Sequence, residues 1–321
     1  MVCLYCQFHS EIKADRLLLE GNLCCIGSRM KMSVNLGSLV VICFMVIVRG
    51  DWLFPDEVQF NISEKLNKNC GHTPYADRIK PEDGRIFENP WMVLFRHPEE
   101  QEWFCQGTLI TDRRVLTTAI CAEAIIVNET IIILGEYERT VGPDCETDND
   151  CKVEPIIERL PHSVIIHPGF QNDTYENDIA LVTLNRKINY SNNVMPVCLP
   201  LTPIIASMIH DPIVYNTLWT DENRVPKQIR MEYIPQDKCQ SRMRDLLVLQ
   251  EGQICAQYAK RMDVQISSGS GSPLMIENHD RMFQIGILSI GLPDPTNLPY
   301  VYVNISTHIK WIHDTLDDGF K

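Results

Sequence analysis

The sequence predicts an all-β protein, a barrel or a sandwich, finished by one C-terminal helix. Two observations carry this. From about residue 79, runs such as Trp91–Phe95, Gly107–Ile110, Arg114–Thr118, Ile131–Gly135 and Ile179–Leu184 are short and rich in Val, Ile, Leu and Thr. Turn-forming residues separate them, as they separate strands. At the other end Ile305, Ile309, Ile312 and Leu316 follow spacings of 4, 3 and 4, which put four apolar side chains on one helix face.

The chain has 321 residues, enough for one large domain or two small ones. Its formal charge of −13 argues against a nucleic-acid partner. Residues 30–50 read as a secretory signal. Lys31 supplies the positive start, Leu36–Val48 is a thirteen-residue apolar core, and Val48 and Gly50 suit cleavage before Asp51. That core is shorter than the roughly 20 residues of a membrane span. The signal is internal, so Met30 or Met32 is the expected start and residues 1–29 an extension. Residues 51–78 are polar, contain only Cys70, and read as a short pro-segment or linker.

Eight of the thirteen cysteines lie between Cys70 and Cys255, an even number that fits disulfides in a secreted chain. Five sequons begin at Asn61, Asn128, Asn172, Asn189 and Asn304, all beyond the signal. Both features place the protein outside the cell, free of the membrane once the signal is removed.

Several segments resemble one family in order and in spacing. They are Phe104-Cys105-Gln106-Gly107-Thr108-Leu109-Ile110, Val115-Leu116-Thr117-Thr118-Ala119-Ile120-Cys121, Asn177-Asp178-Ile179-Ala180-Leu181, Val197-Cys198-Leu199-Pro200, Ser268-Gly269-Ser270-Gly271-Ser272-Pro273-Leu274, and Val301-Tyr302-Val303 through Trp311-Ile312. Together they resemble the chymotrypsin/trypsin-type serine proteases. Leu134-Gly135-Glu136-Tyr137, followed by an acidic loop with Cys145 and Cys151, is most similar to the arthropod clip-type proteases. The six-cysteine clip module is absent from 51–78. The resemblance implies two packed six-stranded antiparallel β-barrels over residues 79–316, with the site in the cleft between them and a tail at 317–321. It implies the pairs Cys70–Cys198, Cys105–Cys121, Cys145–Cys151 and Cys239–Cys255. It also implies an activating cut after Arg78.

The same resemblance exposes departures. In this family a histidine takes the proton of the nucleophilic serine, and an aspartate orients the histidine. Ser270 and Asp178 stand at two of those positions; Ile120 stands at the third and has no lone pair. Loss of the base in a comparable triad costs about 10⁶ in kcat, or roughly 8 kcal/mol of barrier. Ser268 replaces a glycine of the oxyanion hole. Gly269 replaces the aspartate that receives the new N-terminal ammonium, and Lys80-Pro81-Glu82 follows the cut in place of Val-Gly-Gly. Tyr300 follows Pro299 where a glycine keeps the specificity pocket open, and Val264 stands near the pocket-floor aspartate of trypsin-like enzymes.

One cation site is a candidate. Glu136, Asp144 and Glu146, with Asp148 and Asp150 nearby, offer carboxylates to calcium, which takes six to eight oxygen ligands. No other cofactor is expected. The reading that follows is a secreted, non-catalytic serine protease homologue. It would bind extracellular proteases, zymogens or protease inhibitors in a proteolytic cascade. The competing readings are a weakly active endopeptidase using Ser270, and a secreted binding glycoprotein unrelated to proteolysis.

Overall fold

The computed structural model describes residues 8–13, 16–25, 28–34, 66–75, 77, 79–99, 102–139, 155–211, 213–244, 246–260, 269–291 and 298–317. The chain divides into two units, Met1–Val58 and Gln59–Lys321. The first holds an antiparallel meander of β1 (Phe8–Lys13), β2 (Arg16–Cys25) and β3 (Ser28–Val34), in which Phe8 lies opposite Gly21 and Cys25 opposite Ser28. The first residues of the expected signal therefore lie in β3, while its apolar core lies outside the described residues.

The second unit contains two β bodies. The N-terminal body has strands β4 (Met92–Arg96), β5 (Trp103–Leu109), β6 (Arg114–Thr117), β7 (Ile131–Leu134), β8 (Ile157–Arg159), β9 (Pro161–Ile166) and β10 (Ala180–Leu184). Their order is β8-β7-β4-β5-β6-β10-β9, a sheet curled into a half-barrel. Six strands were expected here and seven are found, for a local reason. β8 and β9 are one bent strand interrupted at Leu160, with one arm paired to β7 and the other to β10. Asn185 holds the bend. Its amide donates to the Leu160 carbonyl at 2.9 Å, and its Oδ1 accepts from the Leu160 amide at 3.4 Å. Every residue of β10 is buried, which is why that segment reads as an apolar run broken only by Thr183.

The C-terminal body closes fully. Strands β11 (Val214–Leu218), β12 (Lys227–Ile234), β13 (Gln253–Tyr258), β16 (Tyr300–Asn304), β15 (Arg281–Ile290) and β14 (Pro273–Asn278) follow one another around a barrel and return to β11. Its interior gathers Leu218, Ile229, Met231, Leu274, Ile276 and Tyr302. A fully buried aliphatic side chain of this size stabilises the fold by roughly 1.5–3 kcal/mol.

Among the described residues the α-helices are α1 (Ala119–Glu123), α2 (Pro203–Ser207), α3 (Gln236–Met243) and α4 (Ile305–Asp317). In α4, Ile305 and Ile312 are fully buried, and Ile309 and Leu316 pack against the same cluster. The buried guanidinium of Arg114 ties the helix end to the half-barrel, donating to Thr183 Oγ1 at 2.6 Å and to the Leu316 carbonyl at 3.4 Å. Disulfides join Cys105 to Cys121 and Cys239 to Cys255, each 16 residues apart, and Cys70 to Cys198, 128 apart. Chain-entropy arguments give about 3 kcal/mol for the short loops and about 5 for the long one. Among the described residues, no helix is long and apolar enough to cross a membrane.

Candidate functional site

The two β bodies meet where β6 turns into α1, where the chain enters β10, and where the loop at Ser270 leads into β14. Thr118 caps α1, its Oγ1 accepting from the Cys121 amide at 3.1 Å. That cap fixes the corner carrying Ile120.

Asp178 is fully buried at this junction. Its Oδ1 accepts from the Ile120 amide at 2.9 Å and its Oδ2 from the Ser289 hydroxyl at 2.6 Å. Burial raises the carboxyl from 3.8 to about 6, against the lowering effect of the Ser289 hydroxyl and the Ile120 and Ala119 amides. The aspartate therefore bonds to the backbone of residue 120, and its second oxygen to β15.

Ser270 is partly buried, and its Oγ lies 3.4 Å from Thr118 Oγ1 and 3.4 Å from Cys121 Sγ. Cys121 is disulfide-bonded, so the sulfur has no proton and only the serine can donate in that contact. Among the described residues these are the partners of the hydroxyl. Among the described residues, the histidines are occupied or exposed elsewhere. His97 stacks on Phe104, His167 packs against His308 and Trp311, and His210 meets Tyr233. His72, His162 and His279 are exposed.

The loop itself is held sterically. The Ser270 carbonyl accepts from the Gln106 amide at 3.0 Å, and Gly271 donates to the Leu288 carbonyl at 2.9 Å. Gly271 has a φ of +87°, and a Cβ there would lie 1.9 Å from the Gln106 carbonyl oxygen. Only glycine fits such a position. Gly269 is buried, and its carbonyl accepts from the Ser272 amide at 2.9 Å.

The remaining sequence-based positions fall in several places. Tyr300 is buried in the closed barrel, its hydroxyl 2.7 Å from that of Tyr258 and the two rings edge to face at 5.3 Å. Val264, Ser268, Arg78, Asn61 and the Cys145–Cys151 pair lie outside the described residues. Asn128, Asn172 and Asn189 are exposed. Asn304 caps α4, its Oδ1 accepting from the Ser306 amide at 3.1 Å. Of the calcium set, Asp144 and Glu146 lie outside the described residues, and Glu136 Oε1 accepts from the Tyr137 amide at 3.1 Å. Among the described residues, no group of three or more His, Cys, Asp or Glu side chains gathers as a metal site.

Two features had no sequence signal. Ser289 is one serine in a strand, and nothing near it marks it as the partner of Asp178. Lys80, two residues beyond Arg78, is buried, with its Nζ 3.4 Å from Glu88 Oε1. Glu88 also accepts from Arg85 Nη2 at 2.9 Å and from Gln228 Nε2 at 3.1 Å. Burial pushes the Glu88 carboxyl up, but the Arg85 bonds and the Lys80 charge outweigh it and hold it below the ordinary glutamate value. Ile79, beside it, is 68% exposed.

A half-barrel and a closed barrel, with a serine loop and a buried aspartate at their junction, define a serine-protease scaffold. The Trypsin family profile matches residues 80–312, and the chain belongs to that family. It is 30% identical over 267 residues to the CLIP domain-containing serine protease B4 of Anopheles gambiae, spanning 77% of this chain and 72% of that protein. It is 28% identical over 342 residues to the Spaetzle-processing enzyme of Drosophila melanogaster, spanning 95% and 83%. The crystal structure of the Drosophila Grass clip serine protease of the Toll pathway superposes with a TM-score of 0.68 at 25% identity, over 81% of this chain and 78% of that one.

Proposed function

We propose that this protein is a secreted, non-catalytic member of the trypsin family that binds proteases, zymogens or protease inhibitors of an extracellular cascade. One observation carries the reading. The residue whose backbone sits on Asp178 is Ile120, and its side chain cannot accept a proton from Ser270. The neighbours of the Ser270 hydroxyl, a second hydroxyl and a disulfide sulfur, are no bases either. Gly269 supports the reading independently, since it offers no carboxylate to an N-terminus freed by a cut at Arg78. The cascade setting comes from the relatives, one of which is named for Spaetzle processing and another placed in the Toll pathway.

The test is a fluorophosphonate probe applied before and after cleavage at Arg78. No labelling of Ser270 is expected in either form. Stoichiometric labelling of the cut form would show an activated Ser270 and overturn the non-catalytic reading.

A further inference from the structure

The bend at Leu160 opens the wall of the half-barrel. A cleft of about 260 Å³ lies there, lined by Ile131, Glu158, Arg159, Leu160, Asn185 and Arg186. It shares no residue with the junction of Ser270 and Asp178. The charges around it are unbalanced. The one acid in the lining, Glu158, is bonded to Arg96 at 2.9 Å. Lys187, next to Arg186, is paired with Asp112 at 2.9 Å. Among the described residues, neither Arg159 nor Arg186 meets a carboxylate. Arg159 Nη1 donates to the Glu158 carbonyl at 2.8 Å, and its Nε is buried with no acceptor. The two guanidiniums are close enough that Arg186, after burial, is a cause holding the Arg159 pKa down. Among the described residues, two cations without a carboxylate partner thus line one cleft on a chain of charge −13.

The backbone beside them is also unmatched. β8 ends the sheet order, so its outer edge carries no strand among the described residues. An open edge accepts an extended peptide, and paired arginines accept its carboxylates through charge-assisted bonds. The apolar floor of Ile131 and Leu160 favours an aliphatic side chain between the acids. A sulfated glycan fits less well. The lining gives a long polyanion only two cations, and a glycan has no strand backbone to pair with the β8 edge.

We infer that the Arg159–Arg186 cleft and the β8 edge form a docking site for an extended peptide segment of a partner protein, one in which acidic and aliphatic residues alternate. The inference does not depend on whether Ser270 reacts.

Fluorescence anisotropy with a fluorescein-labelled Gly-Val-Glu-Val-Glu-Val amide tests it on the full chain. Saturable binding in 50 mM salt is expected below about 1 mM, the upper end of useful affinity. The Gln-for-Glu peptide and the R159Q/R186Q double variant should each bind about tenfold more weakly. Raising the salt to about 0.3 M should weaken the Glu peptide several-fold. Arg186 is exposed, so R186Q alone serves if the double variant does not fold. Equal binding of the two peptides, unchanged binding by the variants, or no binding below the stated limit would overturn the site. So would arginine-dependent binding of a heparin oligosaccharide without the peptide.

Discussion

The Ser289 hydroxyl donates to Asp178 Oδ2 at 2.6 Å, joining β15 of the closed barrel to the entry of β10 in the half-barrel. With Ile120 donating to the other oxygen, one carboxylate holds three chain segments together. The function proposed for this protein gives that carboxylate no imidazole to orient. What it retains is a mechanical task, done at an electrostatic cost.

That cost sets a pH dependence. The unfolded carboxyl titrates near 3.8 and the folded one near 6. Between these values the folded chain binds more protons, so stability falls as pH rises from about 4 to about 6 and stays lower above. The loss from this group is about 3 kcal/mol. Asn at position 178 keeps an acceptor for Ile120 and a donor for Ser289 but does not titrate. Urea unfolding between pH 4 and pH 7 should show the parent losing about 2.4 kcal/mol more than D178N, since part of the loss already lies below pH 4. Parallel curves would show that the carboxyl does not titrate in this range.

Glu88 is the hub of a buried ionic centre. Changing it to Gln leaves Lys80 without its counter-charge in a site where the lysine side chain is 2% exposed. Stranding one partner of a buried pair costs about 3–5 kcal/mol, or about 10 °C of melting temperature for a body of this size. Differential scanning calorimetry of E88Q measures it. A shift under 2 °C, well below the ~10 °C expected, would mean the pair is solvated in solution.

Gly271→Ala should be among the most damaging single changes in the chain. The added methyl meets a backbone carbonyl at 1.9 Å and must hold a positive φ. A loss of at least about 3 kcal/mol is expected, visible as reduced yield of folded protein and a lower urea midpoint. Wild-type stability in the variant would show that the loop relocates freely.

Ile120→His supplies the missing imidazole beside Asp178. If base, switch and pocket are independently altered, this change alone should leave hydrolysis of arginyl peptide substrates undetected after cleavage at Arg78. Turnover at even about 1 s⁻¹, a slow but ordinary enzyme rate, would show that Gly269 and Tyr300 are compatible with catalysis.

The architecture was legible where apolar pattern and turn chemistry coincide. Ile305, Ile309, Ile312 and Leu316 marked α4 because a helix buried along one face must repeat at that interval. The runs at β4, β6, β7 and β10 read as strands because their buried faces are nearly continuous. The split of one strand into β8 and β9 was not legible. It depends on Asn185, 25 positions beyond Leu160, reaching back to hold the bend. At the junction, sequence located Ile120, Asp178 and Ser270, but not the partner that Asp178 took instead. Nor did it show that Lys80 would be buried, since that depends on Glu88 and Gln228 arriving from two directions.

Gly271 changes how the serine loop should be read in other chains. Its lack of a side chain is enforced by the Gln106 carbonyl, a wall that stands whatever the loop does chemically. A lineage that stopped needing the nucleophile would still keep this glycine. Pattern searches keyed to a serine followed by glycine therefore sort sequences by steric fit, and will count retired members of the family among the working ones.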